Sequence, residues 1–134
     1  MTDYRSLIEK AIKATSHSYS PYSGYRVGAA LLCQDGTVYT GTNVENASYG
    51  ETVCAERIAI FKAVSEGKRD FSAIAIVGGK GEPCAFAYPC GACRQVMSEF
   101  CAPSLEIVLY DGKNTEIQTL GQLFPSVFSK RSLT

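Results

Sequence analysis

Cys54, Glu56 and the pair Cys90/Cys93 are the residues of this chain whose types and spacing can do chemistry. Three thiolates suit one zinc ion, and a zinc with three protein ligands keeps its fourth position for water. A carboxylate two residues from the first ligand can then carry protons between that water and a substrate. Cys90 and Cys93 are three apart around the start of an expected helix, so both sulfurs can face one metal. Cys54 and Glu56 fall in the first turn of another, so both can face one cavity.

Three thiolates around a dication leave the site negative, which raises the pKa of its water. Helix N-termini at Cys54 and Cys90 would offset this, each by ~0.3–2 kcal/mol. Arg57 and Arg94, each one residue past a key position, are the candidate cations. Two blander readings compete. C-x-x-C alone can be a redox pair or half of a zinc ribbon, and Cys84 could close the site as a fourth sulfur. Against the latter, Pro83-Cys84 lies in a Gly-rich stretch without ligand-pair spacing, and a closed site gives Glu56 no role. Cys33 and Cys101, flanked by apolar segments, read as small core residues. His17, the single histidine, reads as a loop residue and not a ligand.

The elements that must position these groups follow from periodicity and turn chemistry. A first helix, capped by Thr2 or Asp3, runs to about Ser16 with Leu7, Ile8, Ala11 and Ile12 on one face. Residues 18–24 form a loop. Val27 to Cys33 is an apolar run of strand length, as for a strand covered on both faces. Asp35-Gly36 turns it into a second strand, Val38 to Asn43. Thr52 is placed to cap a helix from about Cys54 to Glu66, ended by Gly67. Ser72 to Val77 is a strand, followed by a flexible loop from Gly78 to Pro83. A helix then follows Cys90 and ends before Pro103. Leu105–Tyr110 and Glu116–Thr119 are strands about the Asp111-Gly112 turn, and a short helix surrounds Gly121 to Phe124. The order αββαβαββα predicts a three-layer α/β/α sandwich with a central mixed five-stranded sheet. Its strand ends bring distant ligands together.

With 134 residues, 46% of them hydrophobic, residues 1–134 are expected to form one domain with an ordinary core. Formal net charge is zero, which disfavours DNA or RNA as partner and suits a small polar substrate. No apolar leader or membrane-length stretch is present, so a cytoplasmic chain is expected, with its six cysteines as thiols or metal ligands.

The pattern C-x-E…P-C-x-x-C is the three-cysteine form of the zinc deaminase signature. Almost the whole chain resembles the small, homotetrameric cytidine deaminases. The likeness runs through Tyr22 to Leu32, Asn43-Val44-Glu45-Asn46-Ala47-Ser48-Tyr49-Gly50, Thr52 to Arg57, and Pro89 to Gln95. It implies one Zn²⁺ per chain on Cys54, Cys90 and Cys93, with Glu56 as proton shuttle. It implies that Asn43 and Glu45, with Val44 between them, hold the ribose hydroxyls. The backbone of Ala55 would contact the base. Ala47 and Tyr49 would reach a neighbouring subunit's site, and Phe128 would cover the substrate from another subunit. Arg57 would hydrogen-bond the ligand thiolates. Tyr25 stands where the family usually has Phe, keeping the stacking face but adding a hydroxyl that needs a partner or water. The residues are compatible with the sugar contacts, since alternate strand residues share a side and an ionised Glu45 repels phosphate, although composition alone favours reading Asn43 and Glu45 as part of an exposed turn. The expected reaction is hydrolysis of cytidine or 2′-deoxycytidine to the uracil nucleoside and ammonia. The rivals are a deaminase of the blasticidin S type, a closed zinc module, and a polynucleotide editor.

Overall fold

The structure, a computed structural model, describes residues 3–133. Its elements are α1 (Arg5–Ala14), β1 (Arg26–Cys33), β2 (Val38–Thr42), α2 (Ala55–Ser65), β3 (Phe71–Gly79), α3 (Gly91–Phe100), β4 (Glu106–Tyr110), β5 (Thr115–Thr119) and α4 (Leu120–Leu123). Short 3-10 turns occupy Thr15–His17, Tyr49–Glu51 and Lys130–Leu133. The order is the expected αββαβαββα. One mixed sheet runs β2-β1-β3-β4-β5, with β3 and β4 parallel and the other pairs antiparallel.

Strand alternation divides the core in two. Ala29, Leu31, Ile74, Ile76, Ile107 and Leu109 point to one face, where Ala59, Ile60 and Ala63 of α2 and Met97 of α3 cover them. Ala30, Ala73, Ala75, Val77 and Val108 point to the other, under Leu7, Ile8 and Ala11 of α1. Both faces are therefore apolar, which is why β1 and β3 read as unbroken hydrophobic runs. Two glycines set the helix distances. A Cβ at Gly28 would lie 2.0 Å from the Ala11 carbonyl oxygen, and one at Gly41 would lie 2.4 Å from that of Ala55. The helices rest where a side chain would otherwise stand.

The register brings the site together. Thr42 at the end of β2 and Val77 near the end of β3 both pair with Gly28. The chain thus leaves β2 toward α2 and β3 toward α3 at the same edge of the sheet, the usual place for a ligand site in an open α/β fold.

Three local expectations are corrected. Tyr4, not Asp3, takes the cap position of α1, although Asp3 Oδ1 accepts the Arg5 N–H at 2.9 Å; Thr2 lies outside the described residues. Cys54, not Thr52, is the N-cap of α2, and Thr52 Oγ1 instead accepts the Asn46 N–H at 3.2 Å. Gly78 and Gly79 belong to β3 and not to a loop, because Val27 and Arg26 continue the ladder opposite them. Among the described residues no helix is long and apolar enough to cross a membrane.

Candidate metal centre and active site

Cys54 and Cys90 occupy equivalent places, each the N-cap of its helix with extended backbone and a side chain that makes no capping bond. An N-cap serine or aspartate would turn its oxygen onto the helix N–H groups. Here the sulfurs turn to each other, 3.8 Å apart, and Cys93 in the first turn of α3 lies 3.5 Å from Cys90. All three sulfurs fall within 4.8 Å of one another. Tetrahedral zinc with bonds near 2.3 Å holds its sulfurs about 3.8 Å apart, so the triad has the dimensions the ion requires. The free first-turn N–H groups of α2 and α3 add positive potential on the thiolate side.

Cys84 is not in this cluster; it is exposed, and its sulfur lies 4.0 Å from the Gly78 carbonyl oxygen. Three sulfurs come together, which disfavours the closed four-sulfur reading. His17 is exposed and outside the cluster, while Cys33 and Cys101 pack in the core as expected. Burial pushes the Cys101 thiol up to about 12.

The charge on the triad is shared out by its surroundings. A hydrogen bond from Cys93, then the Arg57 guanidinium and Cys90, hold the Cys54 thiol down to about 5 against its partial burial. Arg57 Nη2 reaches Cys54 Sγ at 3.6 Å and the Thr52 carbonyl at 3.4 Å. Cys93 is pushed above the usual thiol range, because the Cys54 thiolate accepts from it and burial opposes its charge. Arg94 does not share the task expected of it. Its Nε donates to the Pro89 carbonyl at 2.7 Å and its Nη1 to the Leu123 carbonyl at 2.5 Å, bracing the entry of α3 against the end of α4.

Glu56 is buried with 4% of its surface exposed, and its Oε1 has no hydrogen-bond partner among the described residues. Burial, reinforced by the Cys54 thiolate, pushes its carboxyl up to about 7. A buried unpaired carboxylate oxygen costs about 1–3 kcal/mol, so the fold holds this group for something it does not itself supply. A carboxyl poised near neutrality suits proton transfer in both directions.

The sugar candidates lie one strand pairing away. Val44 and Val53 exchange N–H···O bonds of 3.0 Å, which places Asn43-Val44-Glu45 beside the residue before Cys54. Asn43 and Glu45 both turn to the loop of residues 18–23, Asn43 bonding Ser18 and Glu45 accepting from the Tyr22 N–H, the Ser23 N–H and Ser23 Oγ. The Ser23 hydroxyl, then its backbone N–H and that of Tyr22, keep the Glu45 carboxyl below its usual range. Glu45, Tyr22, Ser23, Asn46, Tyr49 and Thr52 line a cleft of about 340 Å³. A larger cavity of about 630 Å³, bordered by Ile12, Cys84 and Lys113, shares no residue with this region.

Ala55 is fully buried with its carbonyl over Gly41, so its N–H, a first-turn donor, is the backbone group left for a ligand. Tyr25 is half-buried with its ring edge over Gly78, where a Cβ would lie 2.7 Å from a ring carbon and 2.8 Å from the hydroxyl. Ala47 is exposed, and Tyr49 and Phe128 stand out from the surface, 75% and 58% exposed. Tyr49 meets Tyr22 edge-on, and Gln95 Nε2 donates to the Phe128 carbonyl at 2.9 Å. Sequence reasoning missed the partners Ser18, Ser23 and Gln95. Ser-Tyr-Ser-Pro-Tyr-Ser signalled a loop, and nothing in it marked which hydroxyls bond onward.

Residues 1–109 match the family model for the cytidine and deoxycytidylate deaminase zinc-binding region. The chain is 48% identical over 133 residues to a cytidine deaminase of Sporosarcina psychrophila, covering 98% of this chain and 96% of that one. It is 49% identical to one of Halalkalibacterium halodurans, covering 98% of both. The 1.6 Å crystal structure of cytidine deaminase from Burkholderia pseudomallei superposes with a TM-score of 0.86 at 48% identity, over 95% of this chain and all of that one.

Proposed function

The chain belongs to the zinc-binding cytidine and deoxycytidylate deaminase family, and from that premise we propose that it hydrolyses cytidine and 2′-deoxycytidine to uridine and 2′-deoxyuridine with release of ammonia. The observation that carries this reading is the trio of sulfurs at zinc-binding separations beside a buried glutamate with an unpartnered oxygen.

Cys54, Cys90 and Cys93 would hold the ion. When bound, zinc supplies Lewis acidity, making water at the site more acidic and steadying negative charge on oxygen. Glu56 accepts a proton from the attacking water and delivers it to N3 of the base. After the C4–O bond forms, Glu56 takes the remaining proton from the new C4 hydroxyl and passes it to the amine, and the C4–N bond breaks to leave the C4 carbonyl and ammonia. The Ala55 N–H orients the base, Tyr25 offers it a ring face, and Asn43 and Glu45 hold the sugar so that C4 meets the water. Arg57 offsets the thiolate charge. An ionised Glu45 in the sugar cleft repels phosphate, which favours nucleosides over nucleotides.

The same reading extends to assembly. Exposed Ala47, Tyr49 and Phe128 would reach the sites of neighbouring subunits in a homotetramer, an arrangement their solvent exposure supports. Two core clusters on one sheet support a single domain over residues 1–134, six cysteines without a disulfide support a cytoplasmic setting, and the deamination of a free nucleoside supports a place in pyrimidine nucleoside salvage. The test is loss of cytidine's ultraviolet absorbance on adding zinc-loaded protein, with cytidine monophosphate in parallel. Fast conversion of the nucleoside and little of the nucleotide is expected. Zinc-loaded protein that leaves cytidine untouched would sink the reading.

A further inference from the structure

Asn43 lies just past β2, only 7% exposed, and its side chain is almost fully engaged. Its Oδ1 accepts from the Val27 N–H at 3.0 Å and from Ser18 Oγ at 2.5 Å. Its Nδ2 donates to the Tyr25 carbonyl at 2.8 Å. A backbone N–H must face the amide oxygen and a backbone carbonyl its nitrogen, so the amide cannot be turned over without losing both bonds. Ser18 has one proton, and Asn43 Oδ1 can only accept it. Ser20 Oγ, 3.1 Å from Ser18 Oγ, is then left to donate to Ser18 in turn.

We propose that Ser18 is a positioning residue for the sugar. By filling the second lone pair of Asn43 Oδ1, it leaves Asn43 a single way to meet a ligand, through its remaining Nδ2–H. The sugar atom opposite must accept. Glu45, an acceptor only, has three of its lone-pair positions taken by Tyr22 and Ser23, and must receive. A donor beside an acceptor fits a hydroxyl, which is both at once. Without the Ser18 hydroxyl, Oδ1 regains an open lone pair, water can bind it, and the amide is less firmly held. The inference rests on the nucleoside reading above.

The experiment measures KM and kcat for the zinc-loaded parent, Ser18→Ala and Ser18→Thr on cytidine, 2′-deoxycytidine and 3′-deoxycytidine. Ser18 has extended backbone, φ −58° and ψ 133°, which threonine adopts readily while keeping the hydroxyl. Ser18→Ala is expected to raise the KM for cytidine about threefold to tenfold, with kcat within about twofold, the pattern of lost uniform binding. Ser18→Thr should restore it. The penalty should vanish on the one deoxynucleoside that lacks the hydroxyl met by Asn43. An unchanged KM in Ser18→Ala, or an equal penalty on all three substrates, overturns the positioning role while the nucleoside reading stands. A parent that turns over none of them overturns that reading and this inference together.

Discussion

Glu56 and Cys54 are neighbours whose environments drive them apart: Cys54 is held down to about 5 and Glu56 is pushed up to about 7. In the proposed function the second serves as an anion for a metal and the first exchanges a proton. Glu56→Gln preserves the shape and burial of the side chain and removes its proton chemistry. It is expected to retain one zinc per chain by metal analysis and to lose turnover by roughly 10²–10⁴-fold. Undiminished activity in the zinc-loaded variant would remove Glu56 from the proposed role. At this scale the sequence was most legible, because ligand identity and spacing are properties of residue types. Arg57 and Arg94 mark where it stopped. Both are arginines one residue past a key position, yet one reaches a sulfur and the other two carbonyls. The direction of a long side chain depends on what is packed around it.

The helix N-termini do the positioning, and the sheet fixes the helix N-termini. Gly41 is the clearest case, since its missing Cβ admits the first turn of α2 and so sets where Cys54 and Glu56 stand. Gly41→Ala is expected to lower stability by about 1–3 kcal/mol through overpacking, read from the urea midpoint, and to weaken zinc binding in a competition with a chelator. Gly50→Ala is the control, for a Cβ there meets nothing within 4 Å. Equal stability of the two variants would mean that α2 does not depend on this contact. The element order and the apolar faces were legible because periods of 3.6 and 2 are written in the chain. The caps were not. Thr52 is the better capping residue by type, but Cys54 takes the position, and the Thr52 hydroxyl is drawn off by Asn46.

For the molecule as a whole, the proposed tetramer makes each site a joint product of several chains, with Phe128 delivered across an interface. Phe128→Ala is expected to raise the KM for cytidine about tenfold, the scale of a lost aromatic contact. Mixing and reassembling it with Glu56→Gln should then restore activity at low cytidine, because an intact Phe128 from one chain meets an intact Glu56 in another. No recovery in mixed assemblies of confirmed tetrameric mass would refute completion in trans. The sequence by itself marked out the three clustered cysteines and the carboxylate beside them, and it determined the order of elements and the two-faced core. These follow from residue chemistry and periodicity, which are local. Only the tertiary structure decided that Cys54 and Cys90 share the cap position, that Cys84 stays away, that Arg94 braces backbone, and that Ser18 holds Asn43. Each of these depends on which strand ends meet at one edge of the sheet, and that edge is assembled from segments dozens of residues apart.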